Sequence, residues 1–176
     1  MNKIEASINT IKNATGSSYF KYKSTVVICT IDLKHKNDCL AVEDYNTVLF
    51  DIRYRNINNK IFDRYCAMII KKILQYFVLN IDVGKTIFVN LIVDSTDINS
   101  TWCSINALFL GLLDAGVPLK DCFFATSSFT KNDDFCILNN NKEVIFFDWT
   151  DEVDENFFNY VKEILMFTCK KNLLYK

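Results

Sequence analysis

The segment from Asn99 to Leu119, NSTWCSINALFLGLLDAGVPL, joins a nearly all-apolar run to a glycine stop and the only proline of the chain. Trp102, Cys103, Ile105, Leu108, Phe109, Leu110, Leu112 and Leu113 project in every direction around a helical turn, so a helix here needs cover on all sides. It reads as the central core helix of the fold. A bilayer span is excluded, because the run is short and interrupted and because Asn106 and Asp114 would be expensive in lipid.

The elements around it follow from pattern. SSYFKYK alternates and TVVICTID is a β-branched run, which together predict paired strands. TVLFDIRY predicts a third strand, and the polar DLKHKNDCLAVEDYN between them a loop. Between Ile61 and Val78, apolar Phe62, Tyr65, Cys66, Ile69, Ile73 and Phe77 recur at helical spacing. KTIFVNLIVD reads as a strand, then comes the buried helix, then DCFFATSS as another strand. DFCIL and EVIFFDW add two more across the turn-like NNNK. From about Glu152 to Lys171 an acidic first turn and a basic last turn suit a closing helix. The layout, without internal repeats, is an α+β or mixed α/β domain.

The 176 residues suffice for one domain with a substantial core, and a single domain over 1–176 is expected. Half of the residues are hydrophobic, more than a lone domain of this size usually buries, which points to a partner surface. A formal charge of −1 excludes coating of nucleic acid by bulk positive charge, while leaving room for a local basic face. MNKIEASINTIKNATGSS has no apolar core of a secretory signal, so a nuclear or cytosolic protein is expected. The seven cysteines, an odd number in mostly apolar runs, read as buried free thiols.

Candidate chemistry is sparse. Val83-Gly84-Lys85-Thr86 resembles the end of a phosphate-binding loop, but Leu79 stands where that motif needs glycine and a strand follows instead of a helix. A plain turn fits better. His35 and Cys39 could supply two zinc ligands, yet no CxxC pair completes a site. Nor does any nucleophile motif surround His35, the only histidine. Asp148, Asp151, Glu152, Asp154 and Glu155 could hold a divalent ion, or simply complement a helix dipole; the second reading is preferred. No metal or cofactor is called for. Lys60, Arg64 and Lys71 fall within about 40° of one another on the helix, opposite its apolar stripe. With Arg53 and Arg55 they form either a solvated face or a set of phosphate contacts.

Together these segments resemble the RNase PH family, and in particular the RNase PH-like ring subunits of the eukaryotic RNA exosome. Gly16-Ser17-Ser18 followed by Thr25-Val26-Val27-Ile28-Cys29 resembles the opening hairpin of the family. Cys103-Ser104-Ile105-Asn106-Ala107 and then Leu113-Asp114-Ala115-Gly116-Val117-Pro118 are similar to its central helix and the D-A-G-[IV]-P exit. The resemblance implies an RNase PH-like α+β domain, mixed sheets with packed helices, shortened near the C-terminus. It also implies partners: other RNase PH-like subunits in a hetero-hexameric ring around an RNA channel, cap subunits, an associated nuclease and RNA, but no membrane. The location implied is the nucleus, nucleolus included, and the cytoplasm.

Active members of the family degrade RNA phosphorolytically, with an Arg that binds phosphate before the central helix and a pair of Asp near the strands after it. Aligning on Ser104-Ile105 places Thr101 where that Arg would stand, and Thr cannot offer a charged bidentate fork. Aligning Phe147-Asp148-Trp149-Thr150 on the strand end of the family brings Asp154 near the first catalytic Asp and about Tyr160 to the second. An alternative alignment makes EVIFFDW the last strand and removes the catalytic segment. Both imply a subunit without catalysis that holds the ring together. An active phosphorolytic subunit, or a partner-binding α/β domain unrelated to RNA, are the alternatives.

Overall fold

A computed structural model describes residues 3–35, 48–58, 60–80, 85–95, 100–127, 135–148, 155–156, 159–163 and 166. In chain order the elements are β1 (Ile4–Ile8), β2 (Gly16–Tyr22), β3 (Thr25–His35), β4 (Leu49–Asn56), α1 (Asp63–Phe77), β5 (Lys85–Asp94), α2 (Ser100–Asp114), β6 (Phe123–Ser127), β7 (Phe135–Asn139) and β8 (Val144–Asp148). Helical residues follow at 155–156, 159–163 and 166; the remainder of the expected closing helix lies outside the described residues.

One sheet has the order β1-β2-β3-β5-β4, the other β6-β7-β8. In the first, all pairs are antiparallel except β4 with β5, which α1 joins as a parallel crossover. Period-two alternation sends Phe20, Tyr22, Val27, Cys29, Ile31, Val89, Leu91 and Val93 to one buried face. There α2 packs against β2 and β3 on one side and against β6 on the other, so the helix is enclosed between the two sheets. Every residue from Thr101 to Leu112 is buried, and Leu113 surfaces at the end. The all-round apolar pattern of this helix is thus explained by its two-sided cover.

Aromatic rings fill the contacts. Trp102 meets Phe20 and Tyr22 edge-on at centroid distances of 5.8 and 5.0 Å, and Phe109 meets Phe123 and Phe124 at 5.1 Å each. Buried Asn106 is satisfied by the edge of β6 that faces α2: its Nδ2 donates to Ala125 O (2.9 Å) and its Oδ1 accepts from Ala125 N (3.0 Å). The side-chain amide thereby takes the place of a neighbouring strand. Among the described residues Cys29, Cys66, Cys103 and Cys136 are buried free thiols and Cys122 is half-buried.

The structure adds one strand and corrects two expectations. The N-terminal segment contains a strand, β1, whose Ile4, Ala6 and Ile8 face inward opposite Tyr22, Phe20 and Ser18; its polar alternate residues and short length concealed it. Residues 33–35, expected in a loop, continue β3 because β5 is long enough to pair with them, Leu33 with Ile87 and His35 with Lys85. The apolar stripe of α1 is shifted in part: Cys66, Ile69, Ile73 and Phe77 are buried as expected and Ile70 and Leu74 join them, whereas Phe62 and Tyr65 are 51 and 41 % exposed.

Candidate functional site

The two motifs that most resemble the RNase PH family meet in space. Ser17 N (2.9 Å) and Asn9 N (3.2 Å) both donate to Asp114 Oδ2, and Ser18 Oγ donates to Ala107 O (2.6 Å). Gly16 lies so close to Ala115 that a Cβ there would sit 2.6 Å from its Cα. Gly116 then turns the chain with φ +68°, a conformation that suits glycine. Beyond the turn, Pro118 O accepts from Leu79 N and Lys120 N donates to Phe77 O, so the exits of both helices are tied together. These residues lock the opening hairpin onto the central helix. Their role is architectural.

The entrance of α2 is where the family resemblance leads one to expect a phosphate-binding charge, and the described residues there form an uncharged network. Thr101 is buried, with Oγ1 3.7 Å from Cys66 Sγ on α1. Ser104 Oγ donates to Ser100 O (2.6 Å) and lies 3.3 Å from the hydroxyl of Tyr54 on β4. Burial, reinforced by the neighbouring Cys66 thiol, pushes the Tyr54 phenol well above its ordinary range, so it is a neutral hydroxyl. Thr101 therefore points into the seam between two helices. Sequence reasoning missed Tyr54 and Cys66 as its companions. The signal for Tyr54 was its parity, between two arginines on a strand with one buried face.

That parity also divides the basic residues. Tyr54 reaches the helix layer, so Arg53 and Arg55 point to the opposite, open face of the sheet, where they pair in register with Asn90 and Ile92. Lys60, Arg64 and Lys71 are exposed at α1, in the helix layer. The five cations thus occupy two surfaces, the open face of the sheet and the helix layer.

Other candidates disperse. His35 is exposed at the end of β3, and Cys39 lies outside the described residues. Lys85 and Thr86 open β5, and Val83 and Gly84, on which the turn reading rests, lie outside the described residues. Asp148 ends β8, Glu155 is exposed and Tyr160 half-buried, while Asp151, Glu152 and Asp154 lie outside the described residues. Among the described residues no three His, Cys, Asp or Glu side chains cluster as metal ligands. No described helix is long and apolar enough to cross a membrane.

The fold has solved counterparts. Rice (Oryza sativa) Rrp46 superposes with a TM-score of 0.75 at 19 % identity, over 96 % of this chain and 95 % of that one. A chain of the archaeal exosome core superposes with a TM-score of 0.66 at 14 % identity, over 97 and 84 %. No curated protein matches the sequence itself. Residues 1–118 match the model of the 3′ exoribonuclease family, domain 1, known as RNase PH. The chain belongs to the RNase PH family. In this chain the opening hairpin is locked onto the central helix, and the described residues of the helix entrance, Ser100 to Ser104, carry no charge.

Proposed function

We infer that this chain is a non-catalytic, RNase PH-like ring subunit of an RNA exosome, one domain over residues 1–176. It would hold the ring together and wall its channel while RNA is degraded from the 3′ end by an associated nuclease. Its partners would be other RNase PH-like subunits, cap subunits and RNA, in the nucleus, nucleolus and cytoplasm. The likeness to Rrp46 and to the archaeal exosome core supports the assignment to such a ring. The observation that carries the loss of catalysis is Thr101, buried against Cys66 where a charged phosphate ligand would have to project into an open site.

The test is phosphorolysis. The purified chain, alone and with a co-purified RNase PH-like partner, is given single-stranded RNA and inorganic phosphate. No phosphate-dependent release of nucleoside diphosphates is expected. Release by the chain alone would establish an active subunit and overturn the reading, and native purification without any RNase PH-like companion would overturn the ring assignment.

A further inference from the structure

We propose that the outer edge of β4 is a docking site for an extended segment of another protein, which adds to the five-stranded sheet as a sixth strand. The segment alternates acidic and apolar side chains. This inference concerns a surface apart from the α2 entrance and does not rest on the exosome assignment.

The direction of the backbone groups carries the argument. Among the described residues β4 has a strand neighbour on one side only, β5. Ile57 N donates to Val93 O of β5, so the odd-numbered residues of this parallel ladder bond to β5 and the even-numbered ones turn their N–H and C=O outward. Both ends of that outward row are occupied: Val48 N donates to Asn80 Oδ1 (2.9 Å) and Asn56 N to Asp63 Oδ1 (3.1 Å). Asn80 and Asp63 flank the two ends of α1, so the helix runs alongside the edge. Between the two plugs lie Phe50, Ile52 and Tyr54, about 13 Å of strand at roughly 3.3 Å per residue.

The edge lacks three of the devices that usually blunt one. It contains no proline, its pairing with β5 runs without a register shift, and no charged side chain points to the buried face. Beside its first half opens a cleft of about 440 Å³ between Val48 and Phe50 on one wall and Lys71, Gln75, Val78 and Asn80 on the other. A helix beside a free strand edge, with a pocket between them, is the geometry by which a bound peptide gains main-chain bonds and a side-chain anchor together.

The surroundings define the occupant. On the open face an added strand would lie beside Asp51, Arg53 and Arg55, where acidic side chains would oppose the arginines. On the helix side it would lie beside Phe50, Ile52 and Val78, with Lys71 at the rim. Alternating N–H donors and C=O acceptors match a peptide backbone, whereas RNA phosphates offer acceptors only.

The experiment uses the full chain and the probe acetyl-Glu-Val-Glu-Val-Glu-Val-amide. Amide hydrogen exchange is followed at Phe50, Ile52 and Tyr54, with Arg53 and Arg55 as internal references bonded to β5. The peptide is expected to bind saturably and to slow exchange at the three outward amides at least tenfold, leaving the references unchanged. The variant Ile52→Pro removes an outward N–H without touching the β5 ladder and should weaken binding at least tenfold. Should it not fold, the exchange pattern of the unaltered chain decides. The proposal is overturned if the peptide leaves those amides unprotected, or if acetyl-Lys-Val-Lys-Val-Lys-Val-amide binds equally well. It is overturned too if single-stranded RNA or self-association of the chain protects the same amides.

Discussion

At Gly16 the fold leaves no room for a side chain, since the backbone of Ala115 occupies the space a Cβ would need. Neither partner is a flexible side chain that could move aside. Gly16→Ala should therefore cost about 2 kcal/mol or more and lower Tm by roughly 5 °C or more, read by thermal unfolding. Gly116→Ala is the informative comparison: nothing lies within 4 Å, and only the positive φ opposes it, so a smaller loss of about 1 kcal/mol is expected. Equal effects at both positions would contradict the close approach. The Gly16-Ser17 pair that opens β2 and the D-A-G exit were legible in the sequence as marks resembling the family. That they touch was not, because Asp114 bonds Ser17 across 97 residues of chain, a separation that no local pattern encodes.

At the scale of the element, α1 shows what periodicity can and cannot supply. Apolar spacing located the helix to within two residues and Cys66, Ile69, Ile73 and Phe77 are buried as expected, yet the flank extends to Ile70 and Leu74 and leaves Phe62 and Tyr65 exposed. Both flanks are apolar enough to be covered, and the choice between them belongs to β4 and the second sheet. The opposite flank carries Lys60, Arg64 and Lys71. If these line an RNA channel, changing all three to Ala should weaken RNA binding by the assembled ring and reduce the steepness of its dependence on log salt by up to about 2, at roughly 0.7 per phosphate contact on single strands. An unchanged slope would assign the face to solvent. Arg53 and Arg55, adjacent in sequence to these cations, belong to the open face of the sheet because Tyr54 between them is drawn inward to Ser104.

Across the whole molecule, the buried thiols report on the integrity of the packed layers. Burial pushes the Cys136 thiol up to about 12 from an ordinary 9.0 and drives the Cys29 thiol higher still. The native state therefore holds these protons more tightly than the unfolded chain does. Their protonation leaves stability unaffected below about pH 9, and stability falls as pH rises from 9.0 toward about 12. Alkylation at pH 8 should accordingly be slow at Cys29 and Cys136, faster at half-buried Cys122, and should accelerate at all three in denaturant, as peptide mass spectrometry would show. Rapid labelling of Cys29 in the native protein would contradict the enclosed core.

The sequence by itself determined that the segment from Asn99 to Leu119 holds an enclosed helix, that β-branched runs flank it and that the chain carries marks resembling RNase PH, because burial pattern and turn chemistry are local and periodic. By resemblance to the family, Thr101 is expected where a charged ligand would be needed. Only the tertiary structure decided that Thr101 points into the α1–α2 seam, that five cations fall on two surfaces and that β4 is an edge. Each of these depends on which element lies alongside which, and that is settled by long-range packing that leaves no trace in spacing.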